Sequence, residues 1–152
     1  MARIQIINGP NLNLVGKRET AIYGTTTLDD IHKMAQQKAA QHGHSLGWMQ
    51  SNAEHDLIDV IHACRTDETA VIIINAAAYT HTSVAIRDAL LAAEKPVIEI
   101  HLSNIHSRED FRSHSFISDI AKGIIAGFGP DSYGLAVDAA AAIITQSGIA
   151  GD

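Results

Sequence analysis

The sequence places Arg18 and Tyr23 five residues apart in a polar, glycine-containing stretch. A tyrosine phenol has an ordinary pKa of about 10 and is a poor base at neutral pH, but a nearby guanidinium stabilises the phenolate and lowers that pKa. Arg18 and Tyr23 can therefore form a base. The alternative is that Tyr23 packs its ring against the protein and Arg18 is a solvated loop charge.

Glu99 and His101 lie two residues apart in the run PVIEIH, which is typical of a β-strand. Residues two apart on a strand point to the same face, so the two side chains can meet. A buried carboxylate needs a partner, and a carboxylate orients an imidazole and raises its basicity. The pair is a candidate for general acid/base work, and a structural buried ion pair is the alternative.

His81 lies in the segment AYTHTS, which follows an apolar strand-like run and opens a predicted helix. The unpaired N–H groups at the start of a helix favour an anion, and His81 can add a hydrogen-bond donor there. The competing interpretation is a helix start satisfied by threonine and serine, with His81 merely exposed.

The chain has nine histidines, but it shows neither an HExxH motif nor paired His and Cys spacing, and we expect no metal site. No GxGxxG motif or P-loop follows the first predicted strand, which disfavours a nucleotide enzyme. The single cysteine, Cys64, lies on the apolar stripe of a predicted helix, and we expect it in the core.

These residues must be positioned by regular elements, and hydrophobic periodicity predicts five strands that alternate with helices. The strands are expected at 3–8, 45–50, 70–74, 96–101 and 123–127, with polar loops at 9–26 and 103–118. Helix starts are predicted at Thr27 with Asp30 as a capping box, at Asn52, at Thr82 or Ser83, and near Tyr133.

Alternating strands and helices predict an α/β fold, a doubly wound parallel sheet with helices on both faces. Right-handed crossovers leave few topologies, and we expect the flavodoxin-like order 2-1-3-4-5. Ligands of such sheets bind outside the carboxyl ends of the strands. Those ends carry the polar segments 8–13, 75–83 and 101–104.

Length and composition predict one domain, because 152 residues leave no room for a second. A net charge of -6 argues against nucleic acid and against an anionic membrane surface as partners. One cysteine allows no intrachain disulfide, and no signal peptide is recognisable, so we expect a cytoplasmic location.

Several motifs occur together and in a specific order: NGPNLNL, RE before YG, QSNxE, AYTHTS, EIHLSNI and REDFR. In this combination the chain resembles the type II 3-dehydroquinate dehydratases from about Arg3 to Leu135. The resemblance implies a cofactor-free and metal-free lyase of the shikimate and quinate pathways. Such an enzyme converts 3-dehydroquinate reversibly to 3-dehydroshikimate by anti elimination of water through an enolate.

The resemblance also implies roles for individual residues. Tyr23 would be the base, Arg18 would lower its pKa, and His101 would be the acid, oriented by Glu99. Asn11 would hold a water against the enolate oxygen. The substrate-binding residues would be Asn75, His81, Leu102, Ser103, Arg112 and, from a neighbouring subunit, Asp88. The segment at about 17–25 would be a lid, and the family resemblance implies a homo-oligomer, a dodecamer built of trimers.

Three positions depart from the pattern of that family: Thr20, the pair Ala76-Ala77, and His55. They bear on the lid and on turnover rather than on the proposed catalytic side chains. The sequence disfavours two other functions. A receiver domain needs acidic residues where the chain has Asn8 and Asn75, and a metal hydrolase needs ligand spacing that the sequence lacks.

Overall fold

Five parallel strands form the centre of the computed structural model, which describes residues 1–18 and 20–148. They are β1 (Arg3–Asn8), β2 (Ser45–Gln50), β3 (Thr69–Asn75), β4 (Val97–His101) and β5 (Gly123–Ala126). Their order is β2-β1-β3-β4-β5, and every neighbouring pair is parallel. The predicted flavodoxin-like sheet is therefore confirmed, with its switch point between β1 and β3.

Helices cover both faces of this sheet. They are α1 (Thr20–Tyr23), α2 (Leu28–Gln41), α3 (Glu54–Cys64), α4 (Val84–Ala93) and α5 (Asp131–Ser147). One core packs α2 and α5 against strand residues that include Ile4, Ile6 and Ile73. The other packs α3 and α4 against residues that include Ile7 and Ile72, so alternate residues of a strand enter opposite cores.

Side-chain caps explain where two of the helices, α2 and α4, begin. Thr27 and Asp30 form the predicted capping box of α2, and the Ser83 hydroxyl accepts from the Ile86 N–H at the start of α4. The predicted cap at Asn52 is wrong, because Ala53 precedes α3. The Asn52 side chain instead accepts a hydrogen bond from the Asn11 N–H at 2.9 Å.

The loops predicted at 9–26 and 103–118 contain short helical turns. A 3₁₀ turn covers Leu12–Leu14 and α1 follows it, while further 3₁₀ turns cover Ile105–Ser107 and Asp110–Arg112. Such turns satisfy backbone polar groups locally, which a loop over a buried surface requires. The short turns hold Leu12 and Ile105 in buried positions.

The carboxyl ends of β1 and β3 approach each other closely at Gly9. The Gly9 N–H donates to the Asn75 carbonyl at 2.8 Å, and a Cβ on Gly9 would lie 2.4 Å from the Ala76 carbonyl oxygen. Only glycine fits there without moving backbone. This contact ties the first loop to the strand end that carries Asn75.

Cys64 is buried, as expected, and burial raises the pKa of its thiol. On α4, Val84 and Leu91 are half-exposed while Leu90 is buried. Val84 and Leu91 lie on the outer side of α4, where the sheet cannot reach them. Within the described part of the chain, none of the helices has the length and apolar character that a membrane span requires.

A strained residue ends α4 and provides a test of the fold. Glu94 is exposed and has φ 57°, in the left-handed region that costs a non-glycine residue about 1–2 kcal/mol. We expect Glu94→Gly to raise the free energy of unfolding, measured by urea titration, by about 0.5–1 kcal/mol. The gain is smaller than the strain that is relieved, because glycine also makes the unfolded chain more flexible.

The matched control is Ala92→Gly, which introduces the same residue at an exposed position inside α4. It should lower the free energy of unfolding by about 0.5–1 kcal/mol. A Glu94→Gly variant that is destabilised to the same extent would contradict the assigned backbone conformation.

Candidate active site

A cavity of about 140 Å³ opens at the carboxyl edge of β1, β3 and β4. Its wall is formed by the loop after β1, the turn after β3 and the loop after β4. Eight of the eleven predicted site residues line it: Asn11, Arg18, Asn75, His81, His101, Leu102, Ser103 and Arg112. The sheet edge that topology predicts as the ligand site is thus the edge at which these residues meet.

His101 ends β4 and lies against the glutamate two residues before it. Its Nε2 is 2.5 Å from Glu99 Oε2, and both residues are buried, with Glu99 at 0% exposure. Glu99 lies behind His101 and does not line the cavity. The imidazole of His101 therefore faces the cavity, and the carboxylate of Glu99 holds it from the side away from the cavity.

Two serines complete the surroundings of the Glu99 carboxylate. Ser115 Oγ donates to Oε2 at 2.9 Å, and Ser118 Oγ donates to Oε1 at 2.5 Å. Burial alone would raise the pKa of Glu99, but the hydrogen bonds from His101, Ser118 and Ser115 and the charge on His101 outweigh burial and lower it. Glu99 is therefore an anion inside the sheet, and the His101 ring lies directly against it.

The segment that carries these serines is anchored to α4. Arg87 donates to the Phe116 carbonyl at 2.9 Å and pairs with Asp119 at 2.5 Å. Ser115 Oγ also accepts from the Ile117 and Ser118 N–H groups, so this side chain shapes the turn as well as contacting Glu99. Ser118, by contrast, makes its side-chain contact with Glu99.

His81 is the second imidazole of the cavity, with its ring centroid 6.4 Å from that of His101. Its Nδ1 lies 2.7 Å from the His114 carbonyl oxygen, which can only accept, so Nδ1 carries the proton. Burial lowers the pKa of His81, and the charges of His101 and Arg112 lower it further, against the hydrogen bond to His114. A neutral His81 then presents Nε2 to the cavity as an acceptor.

Positive charge is concentrated around the cavity although the chain as a whole carries -6. Arg18, Arg108 and Arg112 all line it. Arg112 Nε is held by Glu109 at 3.1 Å, and its guanidinium lies 5.1 Å from the Phe111 ring centroid. The three arginines make the electrostatic potential in the cavity positive, although the net charge of the chain is negative. The cavity is therefore suited to a small anion.

Asn75 reaches the cavity from the end of β3 and is held from behind. Its Nδ2 donates to the Tyr133 hydroxyl at 3.0 Å, and its Oδ1 accepts from the Ala77 N–H at 3.2 Å. Tyr133 belongs to α5 and is fully buried. Sequence reasoning identified Asn75 but missed Tyr133, because α5 carries an apolar pattern that is typical of core.

Two of the predicted site residues that the structure describes, Glu99 and Asp88, do not line the cavity. Glu99 supports His101 from behind. Asp88 is exposed on α4, away from the cavity of its own chain. The Tyr23 side chain lies outside the described residues, as does Glu19, so the predicted Arg18–Tyr23 contact remains a prediction.

Sequence reasoning also missed Arg108 and the serines at 115 and 118. A signal was present for Arg108, since two arginines stand in the polar segment after β4. No local signal identifies Ser115 or Ser118, because serines in a loop are common and their partner is Glu99, 16 and 19 residues earlier.

Of the residues that depart from the family pattern, Ala77 lies at the cavity and His55 lies away from it. Ala77 lines the cavity with φ 53°, a conformation that glycine adopts without strain. His55 is exposed near the start of α3 and lies beside Asp56, outside the cavity. Among the residues that the structure describes, no group of three or more His, Cys, Asp or Glu side chains could hold a metal ion.

Sheet order, an arginine-lined cavity and a buried carboxylate–imidazole pair are typical of a flavodoxin-like α/β enzyme, with a site that suits acid/base chemistry on a small anion. The family described as "Dehydroquinase class II" matches residues 2–141. The chain belongs to this family and is an enzyme of the hydro-lyase class. The resemblance found in the sequence is confirmed.

Similar proteins cover nearly the whole chain. A 3-dehydroquinate dehydratase of Cellvibrio japonicus is 57% identical over 95% of this chain and 97% of its own. One from Stenotrophomonas maltophilia is 55% identical over 97% and 99%. The crystal structure of type II dehydroquinase from Propionibacterium acnes superimposes with a TM-score of 0.89 at 40% identity, covering 93% of this chain and 97% of that one.

The surroundings of Glu99 predict a pH-dependent stability. A lowered pKa in the folded state adds stability that is complete above the ordinary value of 4.5 and is lost as pH falls through the folded value. Ser118→Ala removes a donor to the anion and should raise that folded pKa. We expect it to lower the free energy of unfolding at pH 7 by about 1.5–3 kcal/mol.

The difference between Ser118→Ala and the unmodified protein should shrink as urea titrations are repeated below pH 4.5. Ser113→Ala is the matched control, since its exposed hydroxyl donates to the Asp110 carbonyl and not to Glu99. A stability difference for Ser118→Ala that is constant between pH 7 and pH 3 would show that Ser118 does not support the charge.

Proposed function

We propose that this protein removes water reversibly from 3-dehydroquinate to give 3-dehydroshikimate, in the shikimate or quinate pathway. The observation that carries the proposal is the buried Glu99–His101 pair at the wall of an arginine-lined cavity, in a chain that belongs to the class II dehydroquinase family. A β-hydroxy ketone suits such a site. Its carbonyl acidifies the neighbouring C–H, and an acid is needed to protonate the departing hydroxyl.

His101 is proposed as the acid. Glu99 takes one ring nitrogen, Nε2, which leaves Nδ1 as the nitrogen from which the substrate hydroxyl receives its proton. The Glu99 anion holds the ring through Nε2 and fixes its orientation. The C1–O bond then breaks with the hydroxyl leaving as water.

Tyr23 is proposed as the base and Arg18 as the residue that lowers its pKa. The phenolate takes a proton from C2, and the electrons of the C2–H bond pass into an enolate. The base and the acid come from different segments, the first loop and β4, which suits anti elimination because the two groups must reach opposite faces of the substrate. Closure of the lid at 17–25 would exclude water and strengthen the Arg18–Tyr23 interaction.

Binding of the substrate is proposed to divide among the remaining cavity residues. Arg112, with the N–H groups of Leu102 and Ser103, and Asn75 offer donors to the carboxylate and hydroxyls. The neutral His81 accepts from a hydroxyl through Nε2. Asn11 holds a water against the enolate oxygen; its φ of 69° places it at the bend that leads into the cavity.

Both proton-transfer groups in this scheme are side chains, so we propose that the reaction uses neither a metal nor an organic cofactor. The proposal also includes a single catalytic domain over 1–152 and a cytoplasmic location. The buried thiol of Cys64, the only cysteine of the chain, is compatible with a reducing compartment.

A homo-oligomer, a dodecamer built of trimers, is proposed as the working form. Val84 and Leu91 are half-exposed on α4, and Asp88 lies between them at helical spacing. An exposed apolar pair on one helix face supports a protein contact there. Such a contact would carry Asp88 toward the cavity of a neighbouring subunit.

The activity is tested by adding 3-dehydroquinate and following the ultraviolet absorbance of the conjugated enone product. We expect turnover by the unmodified protein and a loss of about 10²–10⁴-fold in kcat for Tyr23→Phe and for His101→Ala, because each removes a proton-transfer group. A Tyr23→Phe variant with near-native kcat would show that the base is another residue, and no enone signal from the unmodified protein would contradict the proposed reaction.

Arg18→Ala is expected to reduce kcat by several orders of magnitude, since the phenolate would no longer be stabilised near neutral pH. Lys17→Ala is the matched control, because it removes the neighbouring exposed cation from the same loop. Equal losses in the two variants would mean that the net charge of the loop matters and not the specific guanidinium.

The assembly is tested by light scattering together with kinetics. We expect a mass of about twelve subunits for the unmodified protein and a raised KM for Asp88→Asn at unchanged mass. Asp59→Asn, an exposed carboxylate on α3, serves as the control. A monomer with full activity would contradict both the assembly and the role of Asp88.

A further inference from the structure

Four hydrogen bonds run through the core from the turn after β3 to β2. The Ala77 N–H donates to Asn75 Oδ1 at 3.2 Å, and Asn75 Nδ2 donates to the Tyr133 hydroxyl at 3.0 Å. Tyr133 donates to Asn8 Oδ1 at 2.7 Å, and Asn8 Nδ2 donates to the Met49 carbonyl at 3.1 Å. We call this series the Tyr133 relay.

The two ends of the Tyr133 relay permit one direction of donation. A backbone N–H can only donate, and a backbone carbonyl can only accept. Asn8 must therefore turn its nitrogen toward Met49 and its oxygen toward Tyr133. Tyr133 has one proton, which goes to Asn8, so the phenol oxygen accepts from Asn75. A flipped amide at Asn75 would face the Ala77 N–H with its own N–H₂ group.

Burial makes this direction stable. Asn8 and Tyr133 have 0% exposure, so water cannot replace a missing partner of either side chain. Burial also raises the pKa of the Tyr133 phenol, which keeps its proton in the relay. Gly134 beside it lets α5 lie close to α2, since a Cβ there would be 3.1 Å from Met34 Sδ.

We propose that Tyr133 is a positioning residue for the cavity: it locks the Asn75 amide so that the second Nδ2 hydrogen is offered to an oxygen acceptor of the ligand. This inference rests on the proposed function, because it assigns Asn75 as a donor to the substrate. It extends the site to α5, a helix with no residue in the cavity wall. The ligand class it selects has a carboxylate, carbonyl or hydroxyl oxygen at that point.

The test is a double-mutant cycle with Tyr133→Phe and Asn75→Ala, read out as KM and kcat for 3-dehydroquinate. Tyr133→Phe keeps the ring and removes the hydroxyl that holds the amide. We expect KM to rise about tenfold with kcat within threefold, the signature of a lost binding contact. The double variant should have the KM of Asn75→Ala within twofold, because Tyr133 acts through Asn75.

Ser132→Ala is the matched control for Tyr133→Phe. It removes a fully buried hydroxyl from the neighbouring position of α5, and the described structure shows no hydrogen bond to that hydroxyl. We expect its KM to be unchanged. A native KM in Tyr133→Phe, or effects of Tyr133→Phe and Asn75→Ala that multiply in the double variant, would overturn the positioning role.

A measurement on the unmodified protein decides the matter even if Tyr133→Phe does not fold. In protein labelled with ¹⁵N at asparagine, one Nδ2 hydrogen of Asn75 should exchange slowly with solvent, and the signal of the other should shift on addition of 3-dehydroshikimate. Fast exchange of both hydrogens overturns the relay. Failure of the proposed function would appear separately, as no turnover of 3-dehydroquinate beside a protected Asn75 hydrogen.

Discussion

A carboxylate with no exposed surface lies inside the central sheet, and the site is organised by the need to stabilise its charge. Glu99 receives hydrogen bonds from His101, Ser115 and Ser118, which together outweigh the cost of burial. These contacts hold the imidazole at the cavity wall and fold the loop after β4 over the sheet. Because Arg87 anchors the same loop to α4, His101 is supported by β4, by the loop after β4 and by α4.

The Tyr133 relay follows the same physical rule with neutral groups. A buried amide or phenol must find partners, and here a single direction of donation satisfies all of them from Ala77 to Met49. The carboxyl ends of β1 and β3 meet at the switch point of the sheet, and Tyr133 joins the asparagines that end them. The charge of Glu99 and the direction of the Asn75 amide are therefore both fixed by buried hydrogen bonds.

Elements with a strong local signal were predicted closely. Strand β1 has the predicted bounds because its β-branched residues enter both cores, and α2 begins at its predicted capping box. Predictions failed where a side chain had a distant partner. Asn52 does not cap α3, because its side chain accepts from the Asn11 N–H, 41 residues earlier.

By itself the sequence determined the order of strands and helices, the sheet edge at which the site lies, and the family. Periodicity, caps and ordered motifs depend on residues that are close together in the chain, so they can be recognised in the sequence alone. Spacing on a strand also predicted the Glu99–His101 contact, whereas only the tertiary structure decided the partners that lie far away in the chain. Ser115 lies 16 residues from Glu99, and Tyr133 lies 58 residues from Asn75 and 125 from Asn8. A hydrogen bond depends on distance and direction in space, and no spacing in the chain encodes either one until the helices have packed on the sheet.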